Sequence, residues 1–164
     1  MVNTGFLGFR QLNSITTKDK FPLPRIDETI DYLYGSKFFS TLDLISEYWQ
    51  IEIDEEDKPK TAFSTEDGRY QFNRMPSGLT NAPATFQRLM NHILHSVIRK
   101  FALVYLDDVI IYSTSIEQHI KHIDIVLGLL QKAGLKIKLS KCTFLQTSVN
   151  YLGHVISDKP VRKF

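Results

Sequence analysis

Cysteine is almost missing from this chain, since Cys142 is the only one among 164 residues. No disulfide can form within the chain, which points to a reducing compartment. Nothing approaches the ~18 consecutive apolar residues of a membrane span, and the N-terminus does not have the pattern of a signal peptide. Neither sign of charge dominates, because 20 Lys and Arg against 18 Asp and Glu leave a net charge of +2. That balance neither requires nor excludes a polyanionic partner, since a local patch matters more than the sum.

What is present is the composition of a soluble globular domain. Hydrophobic residues make up 43% and charged residues 23% of the chain, both average values. The length allows one domain with a sizeable core, and no repeat, low-complexity segment or linker divides it. The charge is nevertheless uneven, because residues 131–141 contain four lysines and no acid.

Two segments have the periodicity of amphipathic helices. In residues 81–100, apolar side chains recur at steps of three and one, with Asn81 as the expected N-cap and Pro83 in the first turn. Residues 115–134 predict a second helix. Its predicted buried seam is Ile116, Ile120, Ile123, Leu127 and Leu130.

Several shorter segments predict strands. They are FFSTLDL (38–44), the alternating stretch 50–54, LKIKL (135–139), YLGHVI (151–156), and a hairpin within 61–75 that turns near Asp67-Gly68. PLPRIDETIDYLYG (22–35) predicts a short helix. Helices and strands interleave without strict alternation, so we expect an α+β fold in which helices pack on one face of a sheet.

The stretch FALVYLDDVIIYS (101–113) places Asp107 and Asp108 between two apolar, strand-forming blocks. Carboxylates ~4 Å apart repel by about 4 kcal/mol at an effective dielectric of about 20, so the pair needs solvent, a cation or a shared proton. A surface Asp-Asp turn explains the pair alone equally well. It does not explain Asp43, which lies in the apolar segment STLDLIS. If that segment pairs beside the hairpin, three oxygen donors converge, which suits Mg²⁺ or Mn²⁺ and two-metal phosphoryl transfer.

Eight short blocks resemble one known family and occur in its order. They are FRQLNSIT, FPLPRIDE, FSTLDLISEYWQI, KTAFST, RMPSGLTNAPATFQRLMN, YLDDVIIYS, KLSKCTF and YLGHVIS. Together they run from Phe9 to Ser157 and are similar to the reverse transcriptase of gypsy-type LTR retrotransposons and retroviral-like Pol polyproteins. The YLDD block with an upstream LDL is the catalytic signature of that family.

The resemblance implies a polymerase palm-type antiparallel sheet with helices on one face, plus partial fingers. The chain is expected to be a single reverse transcriptase domain fragment, 1–164. Partial fingers would occupy about 1–40 and 50–80, and the palm with its primer grip about 41–49 and 81–157. Thumb, RNase H and integrase regions are expected to lie outside this chain.

The implied reaction adds deoxynucleotides to a primer 3′ end on an RNA or DNA template, with two Mg²⁺ or Mn²⁺ ions. The catalytic and metal-binding positions match Asp43, Asp107 and Asp108. The nucleotide-binding positions match Arg10, Leu44, Tyr48 and Ser77, with Tyr48 as a steric gate against the 2′-hydroxyl. The template- and primer-binding positions match Asn81, Pro83, Tyr105, Gly153 and His154.

The implied partners are a template–primer duplex, deoxynucleoside triphosphates and the rest of a Pol polyprotein. No membrane partner is implied, and the expected location is cytoplasmic, in a retrotransposon particle, or nuclear. Taken one at a time, several site residues have ordinary explanations. Tyr48 fits a core tyrosine, Arg10 a solvated surface arginine, and His154 a structural histidine.

Three positions depart from the family pattern. Gly8 replaces a usual acid, Glu47 a usual glycine and Ser77 a usual phenylalanine. If position 47 requires a positive φ, glutamate there adds strain of about 1–3 kcal/mol. These departures favour a second hypothesis, a non-catalytic remnant that binds nucleic acid. A third, a palm-like nucleotide cyclase, assigns no role to the FRQLN and MPSGLTNAPATFQ blocks.

Overall fold

Four α-helices, three short 3-10 helices and nine strands make up the regular structure of the described residues. The computed structural model describes residues 8–22, 24–157 and 162–163, so residues 1–7, 23, 158–161 and 164 of the predicted domain lie outside them. The helices are Arg10–Ile15 (α1), Ile26–Leu33 (α2), Ala82–Ile93 (α3) and Ile116–Lys132 (α4). The strands are Phe38–Asp43 (β1), Phe63–Thr65 (β2), Gly68–Tyr70 (β3), Ala102–Tyr105 (β4), Asp108–Ser113 (β5), Thr143–Gln146 (β6), Ser148–Tyr151 (β7), His154–Ser157 (β8) and Arg162–Lys163 (β9).

The central sheet is antiparallel and has the strand order β4-β5-β1-β6. β2 and β3 form a separate hairpin, and β7, β8 and β9 form a third small sheet. In the β4–β5 hairpin Tyr105 pairs with Asp108, so its loop contains only two residues. Across β1 and β5 the register pairs Phe38 with Ser113 at one end and Asp43 with Asp108 at the other.

Both faces of the central sheet are buried. One face packs against α3 and α4, and its buried side chains are Leu42, Leu44, Phe86, Met90, Leu94, Val97, Ala102, Val104, Val109, Ile111, Val126, Leu130 and Leu135. The opposite face lies against α2 and the β7–β8 hairpin, and its buried side chains are Leu33, Phe39, Leu103, Ile110, Tyr112, Val149, Tyr151 and Ile156. Successive residues of β4 and β5 therefore enter two different cores, which explains their continuous apolar runs.

The α+β fold class, with the two long helices on one face of an antiparallel sheet, is confirmed. None of the described helices combines the length and the apolar character needed to cross a membrane. The hairpin predicted near Asp67-Gly68 forms as β2 and β3. α1 is a helix that the sequence reasoning did not predict.

A buried polar network ties α4 to the sheet. His119 is fully buried, and its ring nitrogens lie 2.8 Å from the Ser40 hydroxyl and 2.8 Å from the Ser113 hydroxyl. The Ser113 hydroxyl also lies 2.7 Å from Nδ1 of His122, and the amide of Leu145 donates to Ser40. Burial, with a smaller contribution from the neighbouring His122, lowers the pKa of His119 to about 4. The imidazole is therefore held neutral inside the core.

This network explains why the predicted seam of α4 was wrong in its first turns. Ile116 and Ile120 are 42% and 56% exposed, whereas His119, Val126 and Leu130 are buried. The hydrogen bonds of His119 to β1 and β5 turn that side chain toward the sheet. The isoleucine one position later then faces outward.

The helix predicted over 81–100 is shorter than expected and ends at Ile93. The backbone amide of His95 donates to the carbonyl of His92, as in a 3-10 turn. Nδ1 of the His95 ring lies 3.1 Å from the same oxygen. Leu94 and Val97 are nevertheless buried as the apolar stripe predicts. The stripe identified the core face correctly but not the end of the helix.

Two predicted strands do not form as ladders. In LKIKL, Ile137 makes a single bridge to Leu44, and the chain then enters a 3-10 helix at Leu139–Lys141. β6 occupies the edge position beside β1 instead. The stretch 50–54 is likewise reduced to one bridge, between Glu52 and Arg74.

The neutral His119 predicts a pH dependence of stability. Because its folded pKa lies below the unfolded value of 6.5, the unfolded chain binds more protons between pH about 4 and 6.5. The contribution of His119 is therefore complete above pH 6.5 and is lost as the pH falls toward 4, by about 3 kcal/mol. Chemical denaturation of the wild type and of His119→Gln across this range measures it.

His95 is exposed, so His95→Gln is the matched control and should retain the wild-type dependence of the unfolding free energy on pH. The slope should flatten in His119→Gln. A His119→Gln protein with the wild-type slope would contradict the assignment.

Candidate active site

The register of the central sheet brings two of the predicted acids together. Asp43 ends β1 and lies directly opposite Asp108, the first residue of β5. Directly opposed residues in an antiparallel pair have Cβ atoms about 4.5–5.5 Å apart and point to the same face. Asp107 is the second residue of the two-residue loop of the β4–β5 hairpin and directly precedes Asp108. Asp43 and Asp108, from two distant segments of the chain, are thus neighbours at one end of the sheet, and Asp107 is close enough for both charges to raise its pKa.

The loop that carries Asp107 is held in a strained conformation. Leu106, the other loop residue, has a φ of +51°, in the left-handed region. A residue with a Cβ atom pays about 1–3 kcal/mol for such a conformation, so surrounding contacts must hold it there. Strain of this kind clusters at functional sites.

The three acids lie in a negative environment. Burial raises the pKa of Asp107, and the charges of Glu47, Asp108 and Asp43 raise it further, while a hydrogen bond from Tyr48 acts in the opposite direction. Burial also raises the pKa of Asp108, with a further contribution from Asp43. Both pKa values are therefore raised first by burial of the carboxyl group and then by repulsion from neighbouring acids.

Lys141 supplies the ion pair at this site within the described residues, with Nζ 3.2 Å from Oδ2 of Asp43. The lysine side chain is 58% exposed, and an exposed pair of this kind contributes at most about 1 kcal/mol. The contact is therefore weak enough to be exchanged for another cation.

Tyr48 lies beside the acids in a 3-10 helix, Glu47–Gln50. Its ring packs edge-on against Phe86 of α3, with ring centroids 5.8 Å apart. Burial, followed by the charges of Asp107 and Glu47, raises the pKa of Tyr48 to about 12. The hydroxyl therefore stays protonated and is able to donate to Asp107.

The left-handed backbone conformation expected at position 47 occurs one residue earlier, at Ser46. Ser46 has φ +45° and ψ +56°, whereas Glu47 is not among the described residues with a positive φ. Glutamate at position 47 therefore does not adopt a left-handed conformation and adds no strain of that kind. Its effect is electrostatic, since its charge raises the pKa values of both Asp107 and Tyr48.

Gln50 is a site residue that sequence reasoning missed. Its side-chain amide donates to the carbonyls of Ile45 (2.9 Å) and Lys136 (3.0 Å), and its carbonyl accepts from the Lys136 amide (2.6 Å). These bonds fix the segment that carries Tyr48 to a loop 86 positions away. A single glutamine between apolar residues offers no sequence pattern from which this role could be read.

A cavity of about 420 Å³ opens beside the acids. Its lining residues are Asp43, Leu44, Ile45, Ser46, Glu47, Asp107, Lys138 and Lys141. This volume lies within the usual range for ligand sites, about 300–1,000 Å³. The side chain of Leu44 is buried in the core, so the backbone of Leu44 is what a ligand would meet.

A larger cavity, about 510 Å³, lies elsewhere, between α1, the start of α3 and residues 51–61. It includes Asn81 but none of the three aspartates. We assign the site to the smaller cavity, because both acids and lysines converge there.

Four of the other predicted nucleotide and template residues lie on α1, on α3 and in the segment before α3. Arg10 is exposed on α1, Ser77 is exposed in the loop before α3, and Pro83 is in the first turn of α3. Asn81 occupies the N-cap position but does not cap the helix; it donates to the Thr17 carbonyl. Within the described residues, no hydrogen bond or ion pair joins these four to the aspartates.

The predicted primer-grip residues form a tight hairpin packed against the acid-bearing strands. Tyr151 pairs with His154, and the two loop residues have φ +50° (Leu152) and +77° (Gly153). Such a loop requires left-handed backbone at both positions, which glycine adopts without strain. Tyr151 and Tyr105 belong to the same core cluster, so the two hairpins share one hydrophobic layer.

The carboxylates suit a hard divalent cation by their chemistry. Within the part of the chain that the structure describes, no three His, Cys, Asp or Glu side chains are grouped so as to hold a metal ion. Mg²⁺ does not need such a group, because it usually takes one or two carboxylates and is completed by water and substrate phosphates. Asp43 and Asp108, which lie opposite each other, offer that number of carboxylates, and Asp107 is next to Asp108 in the chain.

An antiparallel sheet that carries acids at the ends of two adjacent strands, over two packed helices, is the arrangement expected of a polymerase palm. Residues 5–156 match the family model described as reverse transcriptase (RNA-dependent DNA polymerase). The chain belongs to this family.

Its relatives include transposon proteins. The chain is 47% identical over 156 residues to the Retrovirus-related Pol polyprotein from transposon 297 of Drosophila melanogaster, and 44% identical over 151 residues to that from transposon gypsy of the same organism. These alignments cover 95% and 92% of this chain but only 15% of each relative. The predicted resemblance to gypsy-type Pol polyproteins is confirmed, and the chain corresponds to a small part of such a protein's length.

A solved structure supports the fold. The foamy viral protease–reverse transcriptase in complex with an RNA/DNA hybrid superposes with a TM-score of 0.85 at 25% identity. The match covers 96% of this chain and 21% of the viral one. The palm and fingers architecture is therefore that of a reverse transcriptase.

One buried group at the site yields a stability prediction. Tyr151 is 3% exposed, and its hydroxyl has no hydrogen-bond partner within the described residues. Removing an unpaired buried hydroxyl loses no bond, so Tyr151→Phe should leave the free energy of unfolding unchanged or raise it by up to about 1 kcal/mol. Denaturant titration measures the difference.

Ser40→Ala is the control, because the Ser40 hydroxyl is equally buried but bonded to His119 and to the Leu145 amide. That variant should lose about 1–3 kcal/mol. A comparable loss in Tyr151→Phe would show that its hydroxyl has a partner after all.

Proposed function

We propose that this domain is the catalytic palm of an RNA-directed DNA polymerase, which adds deoxynucleotides to a primer 3′ end on an RNA or DNA template. The observation that carries the proposal is the register that sets Asp43 opposite Asp108 and beside Asp107. Membership of the reverse transcriptase family supports it. Because relatives are several times longer, we expect the domain to act within a Pol polyprotein.

Asp43, Asp107 and Asp108 would hold the divalent ions, two Mg²⁺ or Mn²⁺, together with phosphate oxygens of the nucleotide. Such ions lower the pKa of an attacking hydroxyl and neutralise charge on leaving phosphates. The chain's own contribution would be to place the carboxylates. Their surroundings raise the pKa values of Asp107 and Asp108, and a divalent charge nearby would lower these values and keep both groups ionised.

Tyr48 would lie beneath the sugar of the incoming nucleotide. Its ring is fixed by Phe86 and by the backbone ties of Gln50, so it has little freedom to give way to a 2′-hydroxyl. Discrimination would then come from a clash rather than from a lost hydrogen bond.

The remaining assignments follow the family pattern. Arg10 would grip the triphosphate with its guanidinium fork, with Leu44 and Ser77 near the nucleotide. Template and primer would contact Asn81, Pro83, Tyr105, Gly153 and His154. Sequence would be read by base pairing with the template, and not by protein contacts to base edges.

A second candidate is a nucleic-acid-binding palm that has lost turnover. Glu47 favours it, because this extra charge adds to the repulsion at Asp107. Such a module would shift a primer–template duplex without extending it.

Replacing Asp107 tests the polymerase proposal. Asp107→Asn retains the shape of the side chain but removes a charge that the reaction needs. We expect primer extension on poly(A) with Mg²⁺ or Mn²⁺ to fall by at least about 100-fold. The assay is best run both on this chain and on a transposon 297 Pol protein in which this chain replaces the matching segment.

Asp124→Asn, at an exposed position on α4, is the matched control and should extend at the wild-type rate. Undiminished extension by Asp107→Asn would refute the polymerase proposal. Duplex binding without extension in either protein, unaffected by Asp107→Asn, would favour the second candidate.

Replacing Tyr48 tests the sugar discrimination. Tyr48→Ala opens the space beneath the sugar, so the ratio of kcat/KM for deoxynucleotide over ribonucleotide should fall by at least about tenfold. Tyr34→Ala, at an 84% exposed tyrosine after α2, should keep the wild-type ratio. An unchanged ratio in Tyr48→Ala would remove the steric role of this ring.

A further inference from the structure

Gln87 is a fully buried polar side chain of α3, and its amide faces the aspartate hairpin. Its Oε1 accepts a hydrogen bond of 2.7 Å from the backbone amide of Leu106. Its Nε2 donates to the Val104 carbonyl (3.2 Å) and to Oδ1 of Asn91 (3.0 Å). A glutamine without partners would be costly in this core, so these three bonds are what makes the position tolerable.

The shortest of these bonds reaches the strained residue of the loop. Leu106 has a φ of +51°, and Asp107 follows it directly in the two-residue loop. The Leu106 amide belongs to the peptide group between Tyr105 and Leu106, and the φ of Leu106 sets how the chain continues from that group toward Asp107. The buried Gln87 acceptor holds this peptide group and so opposes rotation of Leu106 to an ordinary negative φ.

The support for Gln87 is itself rigid. Its neighbours Phe86 and Met90 on α3 are fully buried in the core beneath the sheet. The helix thus offers a fixed point from which the amide reaches the loop.

We infer that Gln87 is a positioning residue for the polymerase site: it holds the left-handed Leu106 backbone and thereby aims the Asp107 carboxylate. This inference rests on the proposed function for its catalytic consequence, but the backbone restraint itself does not depend on it. A merely structural role, in which Gln87 only ties α3 to β4 through Val104, would leave the loop unaffected by its loss.

Gln87→Met keeps the volume of the side chain and removes its hydrogen bonds to the loop. We expect kcat for primer extension to fall by roughly 10–100-fold, while KM for deoxynucleotide changes by less than about threefold, because positioning is lost and binding is not. Asn91→Ala removes the one partner of Gln87 that lies outside the hairpin and should change kcat by less than about threefold.

Leu106→Gly separates positioning from packing. Glycine adopts φ +51° without strain, so the loop depends less on the anchor. The loss caused by Gln87→Met should be at least about threefold smaller in the Leu106→Gly background than in the wild type. An equal loss in both backgrounds, or no loss of kcat in either, would overturn the inference.

Hydrogen exchange decides the inference independently of activity. Gln87→Met should accelerate exchange of the Leu106 amide by at least about tenfold, after correction for any change in global stability. Unchanged protection of that amide would overturn the inference even if the wild type extends primers. If the wild-type chain does not extend primers but Gln87→Met still accelerates exchange of the Leu106 amide, the restraint stands while the proposed function fails.

Discussion

The antiparallel pairing of β1 with β5 is the interaction on which the site depends. Its register is fixed because both faces of these strands enter packed cores, with Leu42, Val109 and Ile111 on one side and Phe39 and Ile110 on the other. A slip of one residue would exchange these two layers and place every side chain in the wrong core. The hydrophobic packing of the sheet centre therefore determines which carboxylates meet at its end.

The negative charges at that end of the sheet repel one another and so oppose the strand pairing that brings them together. Packing drives Asp43, Asp107 and Asp108 together, although their mutual repulsion and partial burial raise the pKa values of the two hairpin acids. Lys141 relieves Asp43 only through a weak, exposed ion pair. Glu47 increases the imbalance, and this is the one departure from the family pattern with a visible effect on the acids. Packing of the sheet therefore keeps the acids near one another despite their repulsion. A divalent cation bound between them would stabilise this arrangement.

Two side-chain amides and a buried imidazole fix the segments around the candidate site. Gln50 holds the segment of Tyr48, Gln87 holds the turn before Asp107, and His119 holds the first turns of α4 against β1 and β5. Gln87 and His119 use their polar atoms on backbone or hydroxyl groups that would otherwise be buried without partners. The backbone around the candidate site is thus held by polar side chains that lie outside the group of aspartates.

The sequence alone determined the α+β class, the apolar stripe of α3, the hairpin of the two aspartates and, through ordered motifs, the family. Those features follow from local periods, turn chemistry and residue types. Only the tertiary structure decided that Asp43 lies opposite Asp108, that His119 and not Ile120 faces the sheet, that LKIKL forms no ladder, and that the left-handed residue near Tyr48 is Ser46. The reason is that these outcomes depend on bonds between residues far apart in the chain, such as Ser40 and His119, which lie 79 positions apart. A local pattern encodes which face is apolar, but the partner of a buried polar group exists only once the chain has folded.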